Sequence, residues 1–130
     1  MNLKRVFFCL LNLSFFIFFT NCGSDNDLPI AGSYPKTVKV TYKITGSVKQ
    51  GDILFTNETF GNTSLSNQAI PFTKQITATV KSAPTGIGFS ISTSTGGTAT
   101  LEILIDDKPV ETKTFTGDSG VFGTAVYVFQ

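Results

Sequence analysis

The chain has 130 residues, with ten lysines and arginines against nine aspartates and glutamates, 41% hydrophobic residues, and neither histidine nor tryptophan. A near-neutral chain without a basic block argues against nucleic acid as a partner. The missing histidine removes the commonest general base and the commonest metal ligand, and with them a zinc site of the usual His/Cys kind.

Lys4 and Arg5 open the chain with positive charge, and residues 6–19 are apolar except for Asn12 and Ser14. These 14 residues form about 21 Å of helix. A bilayer core requires roughly 20 residues, so the run reads as the apolar region of a secretory signal. It ends at Phe19-Thr20-Asn21-Cys22, the layout of a bacterial lipoprotein signal. Residues 1–21 are expected to be the signal peptide, and Cys22 the lipidation site. Its thiol takes a diacylglycerol by thioether linkage, and the freed α-amine takes a further chain. Two or three chains, at roughly 0.8 kcal/mol per buried CH2, hold a protein stably where one does not. The other readings are an uncleaved short anchor, or ordinary cleavage leaving a free thiol.

Gly23-Ser24-Asp25-Asn26-Asp27 is a short acidic stretch. It is similar to tethers that send lipoproteins of some Gram-negative bacteria to the cell surface; the plainer reading is a solvated linker. Pro29, Gly32 and Pro35 extend the tether, so residues 22–35 read as a link between membrane and domain. The expected location is the cell envelope, on the outer membrane, with the surface as the further destination. Cys9 lies in the signal, so residues 36–130 contain no cysteine. The domain must hold together through its core, without a disulfide.

From Lys36 onward the pattern is that of strands. Val38, Val40, Tyr42 and Ile44 alternate with polar residues, and Gly46 ends the run. Ile53 and Phe55 share a face in residues 52–57, with Leu54 on the other. Residues 58–68 are polar and turn-rich, with a bend expected at Gly61-Asn62 and Phe60 and Leu65 capping the core. Residues 72–81 alternate again, and Lys74 is expected at a strand end where its ammonium reaches water. Ile87, Phe89 and Ile91 form the next strand, and Thr95-Gly96-Gly97 is expected to close a hairpin into Ala99, Leu101, Ile103 and Ile105. Asp106-Asp107-Lys108-Pro109 turns into a threonine-rich edge strand over residues 110–116. Residues 121–129 are apolar on both faces, which predicts a central strand or one whose outer face meets a partner. Seven strands without helices predict an all-β, antiparallel two-sheet β-sandwich of immunoglobulin-like architecture, dominated by hairpins, with a small barrel as the rival.

Val40-Thr41-Tyr42-Lys43-Ile44-Thr45-Gly46 resembles the opening strand of the MmpS family of small mycobacterial membrane proteins. Ile53-Leu54-Phe55-Thr56-Asn57 is similar to that family's second strand. Ile70-Pro71-Phe72-Thr73 is similar to its Leu-Pro-Trp-Ser, and residues 101–108 resemble its Arg-Ile-x-Val-Asp-Gly segment. The resemblance covers residues 38–108. It implies a β-sandwich on the outer side of a membrane and a non-catalytic accessory role beside lipid or siderophore exporters. The family carries a transmembrane anchor and a disulfide where this chain has a lipoprotein signal and no domain cysteine.

No arrangement of residues reads as catalytic. Gly117-Asp118-Ser119-Gly120 copies the letters around a protease serine, yet no histidine exists to take the proton, so it reads as a turn. Asp106 and Asp107 fall short of the six to eight oxygens that calcium takes, and read as turn residues. Glu58, Glu102 and Glu111 show no pattern of paired carboxylates across a cleft. Phe60, Phe72, Phe89, Phe115, Phe122, Tyr127 and Phe129 are expected in the core, and any of them exposed together would mark a binding surface. Ser90, Ser92, Thr93, Thr98 and Thr100 suit either sugar or water. The expectation is a non-enzymatic binding or accessory module without metal or cofactor. It is held by lipid on Cys22 and partnered by an envelope protein or transporter; the alternative is a surface-displayed adhesive or glycan-binding lipoprotein.

Overall fold

The alternation in sequence becomes an alternation of buried and exposed side chains. The computed structural model describes residues 33–130; the expected signal, Cys22 and most of the expected tether lie outside these. It contains β1 (Lys36–Gly46), β2 (Gln50–Thr56), β3 (Asn62–Ala69), β4 (Phe72–Val80), β5 (Thr85–Thr93), β6 (Gly97–Ile105), β7 (Lys108–Gly117) and β8 (Val121–Phe129). They form two four-stranded antiparallel sheets, ordered β4-β1-β6-β7 and β3-β2-β5-β8. Val38, Val40, Tyr42 and Ile44 of β1, Ile53 and Phe55 of β2, Phe89 of β5 and Leu101 and Ile103 of β6 meet in one core between the sheets. Full burial of each such side chain contributes about 1.5–3 kcal/mol relative to exposure.

Eight strands are present, not seven. The additional one, β3, occupies the stretch read as turn. Its sequence Asn62-Thr63-Ser64-Leu65-Ser66-Asn67-Gln68-Ala69 has almost no apolar face, and it is held by backbone pairing with β2. The bend falls earlier, where the Phe60 amide donates to the Asn57 carbonyl at 3.0 Å and the Asn57 amide to the Gly61 carbonyl at 2.8 Å. Phe60 and Leu65 pack against the core as expected.

Hairpins do not dominate. Only β2–β3 and β6–β7 are sequential neighbours in a sheet; the other five connections cross between sheets. Thr95-Gly96-Gly97 is one of these crossings rather than a hairpin turn. It lies against the β1–β2 crossing, where the Ser47 amide donates to the Thr98 carbonyl at 2.9 Å and the Thr98 amide to the Ser47 hydroxyl at 2.9 Å. Gly97 adopts φ +144°, and a Cβ there would meet Ser47 Oγ at 2.8 Å. Glycine therefore fits the crossing for space as well as for φ.

Tyr42 joins the two sheets. Its hydroxyl, buried in β1, donates to the Thr56 carbonyl of β2 at 2.8 Å, and its ring lies 4.9 Å from that of Phe89 and 5.5 Å from that of Phe55. Burial pushes this phenol well above its ordinary 10.0, and the Glu58 carboxylate adds to the shift. At one end of the sandwich the Tyr34 hydroxyl donates to the Gln130 carbonyl at 2.9 Å. The chain therefore enters the domain and finishes at the same end.

Candidate binding surface

The residues singled out for chemistry do not converge. Cys22 lies outside the described residues. Gly117-Asp118-Ser119-Gly120 links β7 to β8 so tightly that a Cβ on Gly117 would meet the Gly120 carbonyl oxygen at 1.9 Å. Asp106 and Asp107 take positive φ values of 49° and 67° and close the β6–β7 hairpin, as a two-residue turn of mirror-image type requires. The Asp106 carboxylate accepts from the Lys39 amide at 2.9 Å, and Asp107 pairs with the Lys39 ammonium. Glu102 pairs with Lys43 at 3.3 Å and Glu111 with Lys113 at 3.5 Å. Among the described residues, no three His, Cys, Asp or Glu side chains gather around a common point.

The expected core aromatics divide. Phe89 and Phe129 are buried, while Phe60, Phe72, Phe115 and Tyr127 pack partly buried against the core. Phe122 stands apart, 71% exposed on the outer face of β8. Val126 and Val128 on the same face are 49% and 42% exposed, and Leu54 of β2 is 42% exposed. β8 is thus an edge strand whose outer face is open, not the central strand that one reading of its sequence predicted. Gly88 pairs opposite Val126 and Gly86 opposite Val128. With no side chains on those glycines, the valines stand beside a strip of bare backbone.

β8 is also an uncharged edge, flanked near its start by Phe115 of β7, whose ring a Cβ on Gly123 would meet at 2.2 Å. Edge strands in soluble proteins are usually blunted by charge, proline or a bulge. β4 carries Lys74, exposed as expected, and Lys81 follows it. β7, an edge strand as expected, has Pro109, Glu111 and Lys113 and a register shift after Ile103. β3 is polar, and its register with β2 shifts between Gly51 and Ile53. β8 has no charge and no proline between Val121 and Phe129, and it pairs only with β5.

A cleft of about 220 Å³ opens where Phe122 ends this face. Asp52, Ser92 and Phe122 form one row across β2, β5 and β8, since Asp52 pairs with Ser92 and Ser92 with Phe122. Gln50, Asn67, Ser94 and Thr95 complete the polar wall. Asn67 takes φ 51° in the irregular stretch of β3, and its amide donates to Asp52 Oδ1 at 2.9 Å. A Cβ on Gly120 would lie 3.2 Å from the Phe122 ring and 2.9 Å from the Thr93 carbonyl oxygen. Glycine at this position leaves the space that the ring occupies. Of the serines and threonines suited to sugar, only Ser90 and Ser92 lie on this face. Thr93 is buried and contacts Thr95 at 3.0 Å, while Thr98 and Thr100 belong to the opposite sheet.

Sequence reasoning missed Gln50, Asp52 and Asn67. Gln50 and Asp52 come from β2 and Asn67 from β3, and no spacing in the chain announces that pairing brings them together. No protein-family model matches the chain, and no curated protein matches it by sequence.

Proposed function

We propose that this chain is a lipid-anchored, non-catalytic protein of the cell envelope whose sandwich docks on a protein partner through β8. The observation that carries the reading is β8 itself: an unpaired, uncharged edge with Val126 and Val128 exposed above bare backbone. Such an edge suits an extended strand, which adds main-chain hydrogen bonds and buries the valines. Residues 1–21 supply the signal, lipid on Cys22 holds the protein to the outer membrane, and residues 22–35 act as the tether. The resemblance to the MmpS family points to a partner among integral membrane exporters. Two antiparallel sheets around one core are the feature that the immunoglobulin-like reading shares with β-sandwiches generally.

A second reading, a surface-displayed glycan-binding or adhesive lipoprotein, is favoured by one observation: the polar cleft beside Phe122 lies at the end of the sandwich away from Tyr34. β1 runs 11 residues from that entry end, roughly 35 Å of strand, so the cleft lies a strand length from Tyr34.

The docking reading is tested in cells supplied with labelled palmitate. Label enters the wild-type chain and not Cys22→Ala. The double variant Val126→Lys, Val128→Lys keeps the label but no longer co-purifies in mild detergent with an integral membrane protein. Equal labelling of wild type and Cys22→Ala removes the anchor, and undiminished co-purification of the lysine variant removes the docking surface.

A further inference from the structure

We infer that the cleft beside Phe122 binds a single neutral sugar ring, the exposed end of a larger glycan; this deepens the glycan-binding reading and rests on it. Two features point the same way. The Phe122 ring is exposed and lies close to Gly120, so it offers an aromatic surface of the kind on which the C–H side of a sugar stacks. Opposite it stand groups suited to hydroxyls. The Gln50 amide, the Asn67 side-chain amide and the Ser92 hydroxyl make no hydrogen bonds among the described residues, and Asp52 uses only Oδ1, on the Asn67 amide. The carboxylate accepts from sugar hydroxyls, while the side-chain amides and the serine hydroxyl both donate to and accept from them.

The same lining excludes other ligands. It contains no lysine or arginine, and Asp52 repels anions, so phosphates, sulfated sugars and sugar acids are disfavoured. A purely apolar ligand would strip water from the polar wall without replacing its hydrogen bonds. One carboxylate is too few for calcium. The cleft is smaller than the roughly 300 Å³ at which pockets for drug-sized ligands begin, so one ring fits and the remainder of the glycan extends into solvent. The position away from Tyr34 gives that remainder room.

The test uses the full chain in a detergent without a sugar headgroup, titrated with neutral trisaccharides of glucose, mannose and N-acetylglucosamine, with a sialylated trisaccharide and adenosine beside them. At least one neutral trisaccharide binds, and the sialylated one does not. Phe122→Ala weakens binding about tenfold or more, as loss of a stacking anchor does. Asp52→Asn preserves the oxygen that meets the Asn67 amide and weakens binding about tenfold through the lost charge-assisted bond. Thr77→Lys, on the opposite sheet, binds as wild type. If a neutral sugar binds and Phe122→Ala leaves its affinity unchanged, glycan binding stands and this cleft is not the site. If no neutral sugar binds, or only adenosine does, both the inference and the glycan reading fall.

Discussion

On the outer face of the β4-β1-β6-β7 sheet, threonine stands beside threonine. The Thr37 and Thr79 hydroxyls lie 3.0 Å apart and those of Thr100 and Thr114 2.9 Å, and Lys43 meets Glu102 at 3.3 Å. The outer face of the β3-β2-β5-β8 sheet carries Gly86, Gly88, Ser90 and Ser92 beside exposed Leu54, Phe122, Val126 and Val128. One face pairs several of its polar groups across strands. The other exposes apolar side chains, bare backbone and unpaired amides together. Cross-strand pairs of the first kind add about 0.2–1 kcal/mol each. The second face forgoes that stabilisation, which is what a surface reserved for binding looks like in a fold held by its core.

The contrast is confined to the outside, and core substitutions test that with the largest effect. Phe89→Ala in one sheet and Leu101→Ala in the other each remove a fully buried side chain from the same core. Each is expected to lose about 2–5 kcal/mol, measured by urea unfolding of the intact chain. A large loss from one and almost none from the other would mean that the sheets do not share one interior.

Tyr42→Phe is the smaller break, aimed at the bond between the sheets. It leaves the Thr56 carbonyl without its donor and is expected to cost about 1–2 kcal/mol at neutral pH. The folded-state pKa of this phenol is raised above its unfolded 10.0. Its contribution is therefore complete below pH 10 and is lost as pH rises toward the folded value. Wild-type stability should fall as pH rises beyond 10, and Tyr42→Phe should fall less steeply. Parallel decline in both proteins would show that Tyr42 is not the group responsible.

Most strands were readable because their alternation is strong. Val38 to Ile44 and residues 97–105 carry buried side chains at every second position, and seven of the eight strands followed from that signal. β3 escaped it because only Thr63, Leu65 and Gln68 turn partly inward and the strand is held by backbone pairing, which leaves no mark on composition. The crossings were hidden for a related reason. Gly96-Gly97 announces a change of direction but not which sheet the chain enters next. Of the candidate surface, β8 was half legible: apolar residues on both faces showed that the outer one needed covering, but not whether by this protein or another. The cleft was not legible, since Asp52, Ser92 and Phe122 become neighbours only through the β2–β5 and β5–β8 registers.

Photo-crosslinking in intact cells tests the docking claim most directly. A photoreactive residue is placed at Val126, on the apolar face, and in a second strain at Thr77, exposed on the opposite sheet. The account predicts an adduct with an integral membrane protein from Val126 and none from Thr77. Adducts from both positions alike, from neither, or from Val126 with a second copy of this chain alone would contradict it.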